Sequence, residues 1–205
     1  LAILAAVVFG FLIVACLSAS WVEAALGVDA TEVDLLGRFA APSRQHPLGT
    51  DDLGRDLLVR LLQGGQISIL VGLSAAIIAA TLGTALGLIA GYAGGRFDSF
   101  LMRLTDGVIA LPLLALLIVL AAIDLTKLGV PDATANSPYM NLVRIVLITA
   151  LFSWTTVARL VRAATLSLKS RDFVRAGIAM GAPPWRVMLV HILPNTISPI
   201  LVATA

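Results

Sequence analysis

The chain has 205 residues, of which 59% are hydrophobic and 13% charged, with a formal net charge of +2. Average domains carry roughly a quarter charged residues, so this composition, with a mean hydropathy of +1.00, excludes an ordinary soluble domain. The small net charge excludes a broad nucleic-acid surface. The lone Cys16 excludes an internal disulfide, and no Cys/His cluster has metal-ligand spacing.

The apolar residues fall into blocks, and a bilayer-spanning helix needs about 20 of them. The first block is 1–22, the second 67–93, the third 99–123 and the fourth 141–164; a fifth opens near Thr196 and runs to 205. An all-α, polytopic helical membrane protein is expected, with four complete spanning helices and part of a fifth. The chain opens at Leu1 inside one apolar run and stops at Ala205 inside another, so the sequence is expected to be cut at both ends. The first block lacks a basic leader and reads as a mature spanning helix.

Residues 23–66 form a long polar connection. Turn residues surround Pro42, Pro47 and Gly49, and Thr50 or Asp51 is the expected cap of an amphipathic helix running through Gln63. Asp51, Asp52 and Asp56 lack the ligand spacing of a calcium loop, and His46 reads as a turn residue before a proline.

The second block carries Gly83, Gly87, Gly91 and Gly95 at a spacing of four, which lets another helix approach one face closely. In the third block, Pro112 removes a backbone donor, and Arg103 lies three residues before Asp106, within reach of a same-face ion pair. Arg103, Asp106 and Pro112 are the candidates for a pathway or gating role. In the fourth block only 145–158 is uncharged, about 21 Å against a hydrocarbon core of about 30 Å. Arg144 and Arg159 therefore either snorkel to the interfaces or, for Arg159, face other protein.

Lys and Arg set the orientation. Residues 94–98 and 165–195, with the adjoining helix ends, concentrate Arg96, Arg103, Arg159, Arg162, Lys169, Arg171, Arg175 and Arg186. The basic residues of 23–66 and 124–144 are more dilute and mixed with acids. Residues 165–195 are thus expected on the cytoplasmic side and 23–66 outside.

The segment 171–195, RDFVRAGIAMGAPPWRVMLVHILPN, is the most telling. Asp172 is the expected N-cap of a short helix reaching Met180, Gly181 its break, and Ala182 a non-helical residue ahead of Pro183. Pro184 opens a second helix, with Trp185, Met188, Leu189 and Ile192 as its apolar face, and Pro194 ends it. Phe173, Ala176, Gly177 and Met180 fall on one face of the first helix. So short a helix is marginal in water alone, so this face is expected to pack on a partner.

The spacing of Arg175, Ala176 and Gly177, then Gly181, then Leu193-Pro194 resembles the EAA loop of ABC-importer permeases. That pattern is Glu-Ala-Ala, three residues, Gly, nine residues, a hydrophobic residue, any residue and Leu-Pro. HILPN (191–195), HPLGTDDLGRD (46–56), AGYAGGRFD (90–98) and MRLTD (102–106) resemble the C-type, or second-permease, subunits of dipeptide/oligopeptide/nickel importers. Arg175 stands where that family has Glu, Gly177 where it has the second Ala, and His191 at the hydrophobic position.

The resemblance implies a type I ABC-importer permease fold and a coupling helix at 172–184 that docks on a cytoplasmic ATPase. The loop is completed by Trp185, His191, Leu193, Pro194 and Asn195. It implies a homologous permease as heterodimer partner, two cytoplasmic ATPase subunits, an external substrate-binding protein and a bacterial or archaeal inner membrane. Neither Lys127 nor Lys169 follows a phosphate-binding glycine pattern, so ATP and Mg are expected in the ATPase subunits, with no cofactor, metal or catalytic residue in this chain. Di- or oligopeptide is the expected cargo. The alternatives are nickel or another small solute, or a secondary transporter or channel that needs no ATPase.

Overall fold

A computed structural model describes the backbone of residues 2–204, and the side chains of all of these except 2, 113, 128, 198, 199 and 201–204. Leu1 and Ala205, the ends of the first and fifth apolar blocks, lie outside the described residues. The described chain is helical without a strand, apart from an isolated antiparallel bridge between Thr50 and Asp56. It divides into two compact units, Leu1–Gly72 and Leu73–Ala205.

In the first unit, the block expected as one helix is two, α1 (Ala2–Leu17) and α2 (Ala19–Leu26), bent by 54°. The Ser18 hydroxyl at the bend donates to the Ala15 carbonyl at 2.7 Å, a back-bond that competes with the helical ladder. Gly27, in the left-handed region at φ 65°, ends α2.

Residues 28–56 then fold into a knot built from polar contacts. Asp34 accepts from the Leu36 N–H at 3.0 Å and starts a 3₁₀ turn, Leu35–Gly37. The Thr50 hydroxyl accepts from the Ala40 N–H at 2.8 Å and donates to the Gly37 carbonyl. Asp51 accepts from the N–H groups of Leu53 (2.8 Å) and Arg55 (3.0 Å), from Arg55 Nε (2.9 Å) and from Arg60. Desolvation raises the Asp51 carboxyl, but the donors of Arg55, Leu53 and Arg60 outweigh it and hold it well below the usual carboxylate range. Gly54 crosses so close to this frame that a Cβ would stand 1.8 Å from the Asp34 carbonyl oxygen.

This knot corrects the expected helix of the polar connection. Asp51 uses its carboxylate within the turn, so Asp56 is the cap: its Oδ1 accepts from the Val59 N–H at 2.8 Å, and its Oδ2 faces His46 Nδ1 at 3.1 Å. The helix begins at Leu57, not Thr50. It continues without a break as α3 (Leu57–Ala93), 37 residues and about 55 Å long. The amphipathic stretch is thus the opening of a spanning helix rather than a separate one.

In the second unit, α3 ends at Ala93, followed by α4 (Gly95–Ala110), α5 (Leu113–Ala121), a short α6 (Asp132–Ala135) and α7 (Pro138–Lys169). The third apolar block is not one straight span, because α4 and α5 meet at 83° across the break at Leu111 and Pro112. The glycine stripe is a seam. A Cβ on Gly83 would stand 2.6 Å from the Trp154 carbonyl oxygen, one on Gly87 2.6 Å from that of Ala158, and one on Gly91 2.7 Å from Thr165 Cβ. Gly95 lies outside it and begins α4 at φ 62°. Among the described residues, α3 and α7 alone are single helices long and apolar enough to cross a membrane. Counting each bent pair as one span raises the number to four.

Candidate functional site

Helix α8 (Asp172–Ala179) follows α7 after one turn of chain. Arg171 holds the N-cap position and Asp172 is the first helical residue. Asp172 makes no capping bond, and its carboxylate sits at the positive end of the helix dipole. At the other end the Gly181 N–H donates to the Ile178 carbonyl at 2.9 Å and the Ala182 N–H to the Gly177 carbonyl at 3.1 Å. With Gly181 at φ 83°, this is a Schellman closure, the break expected there, with Ala182 just beyond it.

The inner side of α8 is formed by Val174 and Gly177, both buried. Gly177 therefore does not share the exposed face with Phe173, Ala176 and Met180. It lies under the His191 ring, where a Cβ would come within 3.1 Å of Nε2. The exposed face is Phe173, Ala176 and Met180, with Phe173 46% and Met180 81% exposed. Arg175 is also exposed and enters no ion pair among the described residues.

Val174 joins Leu88 of α3, Val157 and Val161 of α7, and Val187 and Ile192 in one buried cluster. A buried aliphatic side chain contributes about 1.5–3 kcal/mol, enough to fix a helix too short to hold itself. Val174 was not singled out in the sequence, although its position three residues before Gly177 carries the helical signal.

The second arm departs further from expectation. After α9 (Pro184–Arg186) the chain widens into a π-helix, Val187–Ile192, then runs directly into α10 (Leu193–Thr204). The Leu193 N–H donates to the Met188 carbonyl, five residues back. Pro194 therefore does not end the helix. A proline lacks the N–H and clashes with the carbonyl four residues before it, and the wide turn ahead relieves both. Of the expected apolar face, Ile192 is buried and Met188 half-buried, while Trp185 and Leu189 are exposed; Val187 is buried as well. The Asn195 side chain donates to the His191 carbonyl at 2.8 Å.

A second set of polar residues joins α4 to α7. Asp106 pairs with Arg159 rather than with Arg103, and Arg162 grips Asp98 with two nitrogens, the longer contact 2.6 Å. Arg103, with Arg96, Ser99 and Phe100, instead lines a separate cleft. Arg159 meets a carboxylate of the neighbouring helix, and both side chains stay partly exposed. Arg144 donates to the Ala121 carbonyl at the end of α5. The Asp98–Arg162 pair was invisible in the sequence because 64 residues separate its members.

The broken helices, the glycine seam and the hairpin between α7 and α10 make this an all-α protein with helices long and apolar enough to cross a membrane. Residues 83–205 match the family described as "Binding-protein-dependent transport system inner membrane component". The chain belongs to that family, whose fold is the type I ABC-importer permease fold.

Similar proteins include the oligopeptide transport system permease protein OppC of Bacillus subtilis, 36% identical over 85% of this chain and 52% of the relative. The di/tripeptide transport system permease protein DppC of Pseudomonas aeruginosa is 40% identical over 76% and 46%. The glutathione transport system permease protein GsiD of Pectobacterium atrosepticum is 38% identical over 78% and 49%. The chain spans about half the length of the curated relatives it matches.

Proposed function

We propose that this chain is a transmembrane permease subunit of an ATP-driven importer of di- or oligopeptides, coupled to its ATPase through α8. The observation that carries this reading is the two-sided character of α8. Its inner side, Val174 and Gly177, is packed, while Phe173, Ala176 and Met180 present apolar surface to water. A short helix clamped on one side and bare on the other suits insertion into a groove of a soluble partner.

In this reading 165–195 is cytoplasmic and 23–66 external, as the distribution of Lys and Arg supports. Two ATPase subunits bind ATP and Mg, a homologous permease completes the heterodimer, and an external binding protein delivers the cargo. Closure of the ATPases moves α8. Because Val174 shares a cluster with Leu88, Val157 and Val161, the motion passes into α3 and α7 together. Two packed arrangements of the bundle are thereby biased one against the other. Support for peptide as cargo comes from the names of the relatives.

Crosslinking tests the docking. In a background with Cys16 replaced, Ala176→Cys is expected to crosslink to an ATPase subunit in the assembled complex, with a yield that changes on adding ATP. A cysteine there that reacts freely with soluble reagents and never crosslinks removes the docking role.

A further inference from the structure

Helix α7 carries a polar stripe that the coupling role does not use. Thr149, Ser153, Thr156 and Arg159 follow one another at steps of four, three and three, which places them along one side of the helix. Thr81, Thr105, Thr155 and Thr165 fold their hydroxyls back onto carbonyls of their own helices. The hydroxyls of Thr149, Ser153 and Thr156 have no partner among the described residues.

Two independent features lie on the same side. Asp106 of α4 pairs with Arg159 while both side chains stay open, 65% and 42% exposed. Within one helical turn of each along the chain, an open cleft of about 250 Å³ is lined by Val108, Ile109 and Leu111 at the end of α4 and by Phe152, Ser153, Thr155 and Thr156 of α7. The cleft borders the helix break at Leu111 and Pro112, where backbone leaves the helical ladder. Such a break at membrane depth is tolerated where it is buried in protein or faces water.

Depth follows from length. Arg144 and Arg159 are 15 residues apart, about 22 Å along the helix, and tilt only shortens this. A hydrocarbon layer of about 30 Å therefore contains at least one of them. Arg144 turns to a backbone carbonyl. Where that layer takes in Arg159, its open ion pair with Asp106 is costly if it faces lipid. The core of a protein interface is depleted of charge, whereas water satisfies the pair and all three hydroxyls at once.

We propose that this side of α7, with Asp106 opposite and the α4–α5 break beside it, lines a water-filled stretch of the translocation path. There a hydrated zwitterionic solute meets one carboxylate and one guanidinium without a net-charge barrier. The assignment rests on the importer reading above.

The test is labelling of single cysteines in the full-length protein in its membrane complex, with Cys16→Ser as background. Thr149→Cys, Ser153→Cys and Thr156→Cys are treated with the charged thiol reagent MTSET, which needs a hydrated thiolate. Leu147→Cys, about 200° round the helix from Thr149, is the control. The stripe cysteines are expected to react at least ~10-fold faster than the control, since thiolate formation needs water. Rates equal to the control overturn the path assignment. Disulfides to a neighbouring chain without labelling also overturn it, in favour of a packed interface. Copurification of the ATPase from the same membranes reads the importer reading separately, so a failure of labelling with the ATPase present counts against the path alone.

Discussion

The knot of residues 28–56 and the hairpin of residues 172–192 are both polar interruptions between apolar helices, and both expose apolar side chains. Their supports differ. The knot hangs Leu36 and Phe39 on a frame of carboxylate and hydroxyl bonds centred on Asp34, Thr50, Asp51 and Asp56. The hairpin hangs Phe173 and Met180 on an aliphatic cluster through Val174, Val187 and Ile192. Hydrogen bonds to ionised groups are directional and pH-dependent. Aliphatic packing is neither, so the hairpin can shift as a body while keeping its contacts.

The strongest way to break this comparison is at Gly54. Gly54→Val places a side chain against the backbone of Asp34 at a positive φ. The expected cost is more than about 3 kcal/mol, at the upper end of overpacking. Limited proteolysis should cut the knot and spare the hairpin. Cleavage of both regions alike would mean that they do not hold independently.

A smaller effect is expected at Val174. Val174→Ala removes two methyl groups at about 0.8 kcal/mol each and leaves a cavity, about 2 kcal/mol in all. Hydrogen exchange should quicken through α8, with no change at the Leu53 and Arg55 amides that bind Asp51. Unchanged exchange in α8 would remove the apolar anchor from the account.

The smallest effect is a pH dependence. The folded Asp51 carboxyl is held below its unfolded value, so its contribution is complete above the unfolded pKa of about 4. It is lost as pH falls from there toward the folded pKa. Exchange at the Leu53 and Arg55 amides should rise over that acid range and stay level in α8. Asp51→Asn should flatten the response, and a dependence that persists in this variant would assign it to another group.

Much of this architecture was legible. The apolar blocks marked where helices lie, although two of the blocks are bent pairs, and Gly181 and the Arg-rich segment marked the hairpin, because these signals are local. The edges were less so. Thr50 and Asp51 have the chemistry of helix caps, but the turn around Gly54 uses Asp51 and leaves the cap to Asp56. Pro194 is a strong local stop, yet the chain widens into a π-turn before it and continues. Gly177 fits the exposed face by spacing, and only the His191 ring shows why it lies inside.

By itself the sequence determined that this is a helical membrane chain with a polar hairpin after its fourth apolar block. Its motifs resembled those of importer permeases. Composition and period act over a turn or two of helix, and the blocks are long enough to dominate them. Only the tertiary structure decided which glycines form the seam, which carboxylate meets which arginine, and which side of α8 stays bare. Asp106 had Arg103 within one helical turn and pairs instead with Arg159, 53 residues away. Partners of this kind depend on helix placement, which no local pattern encodes.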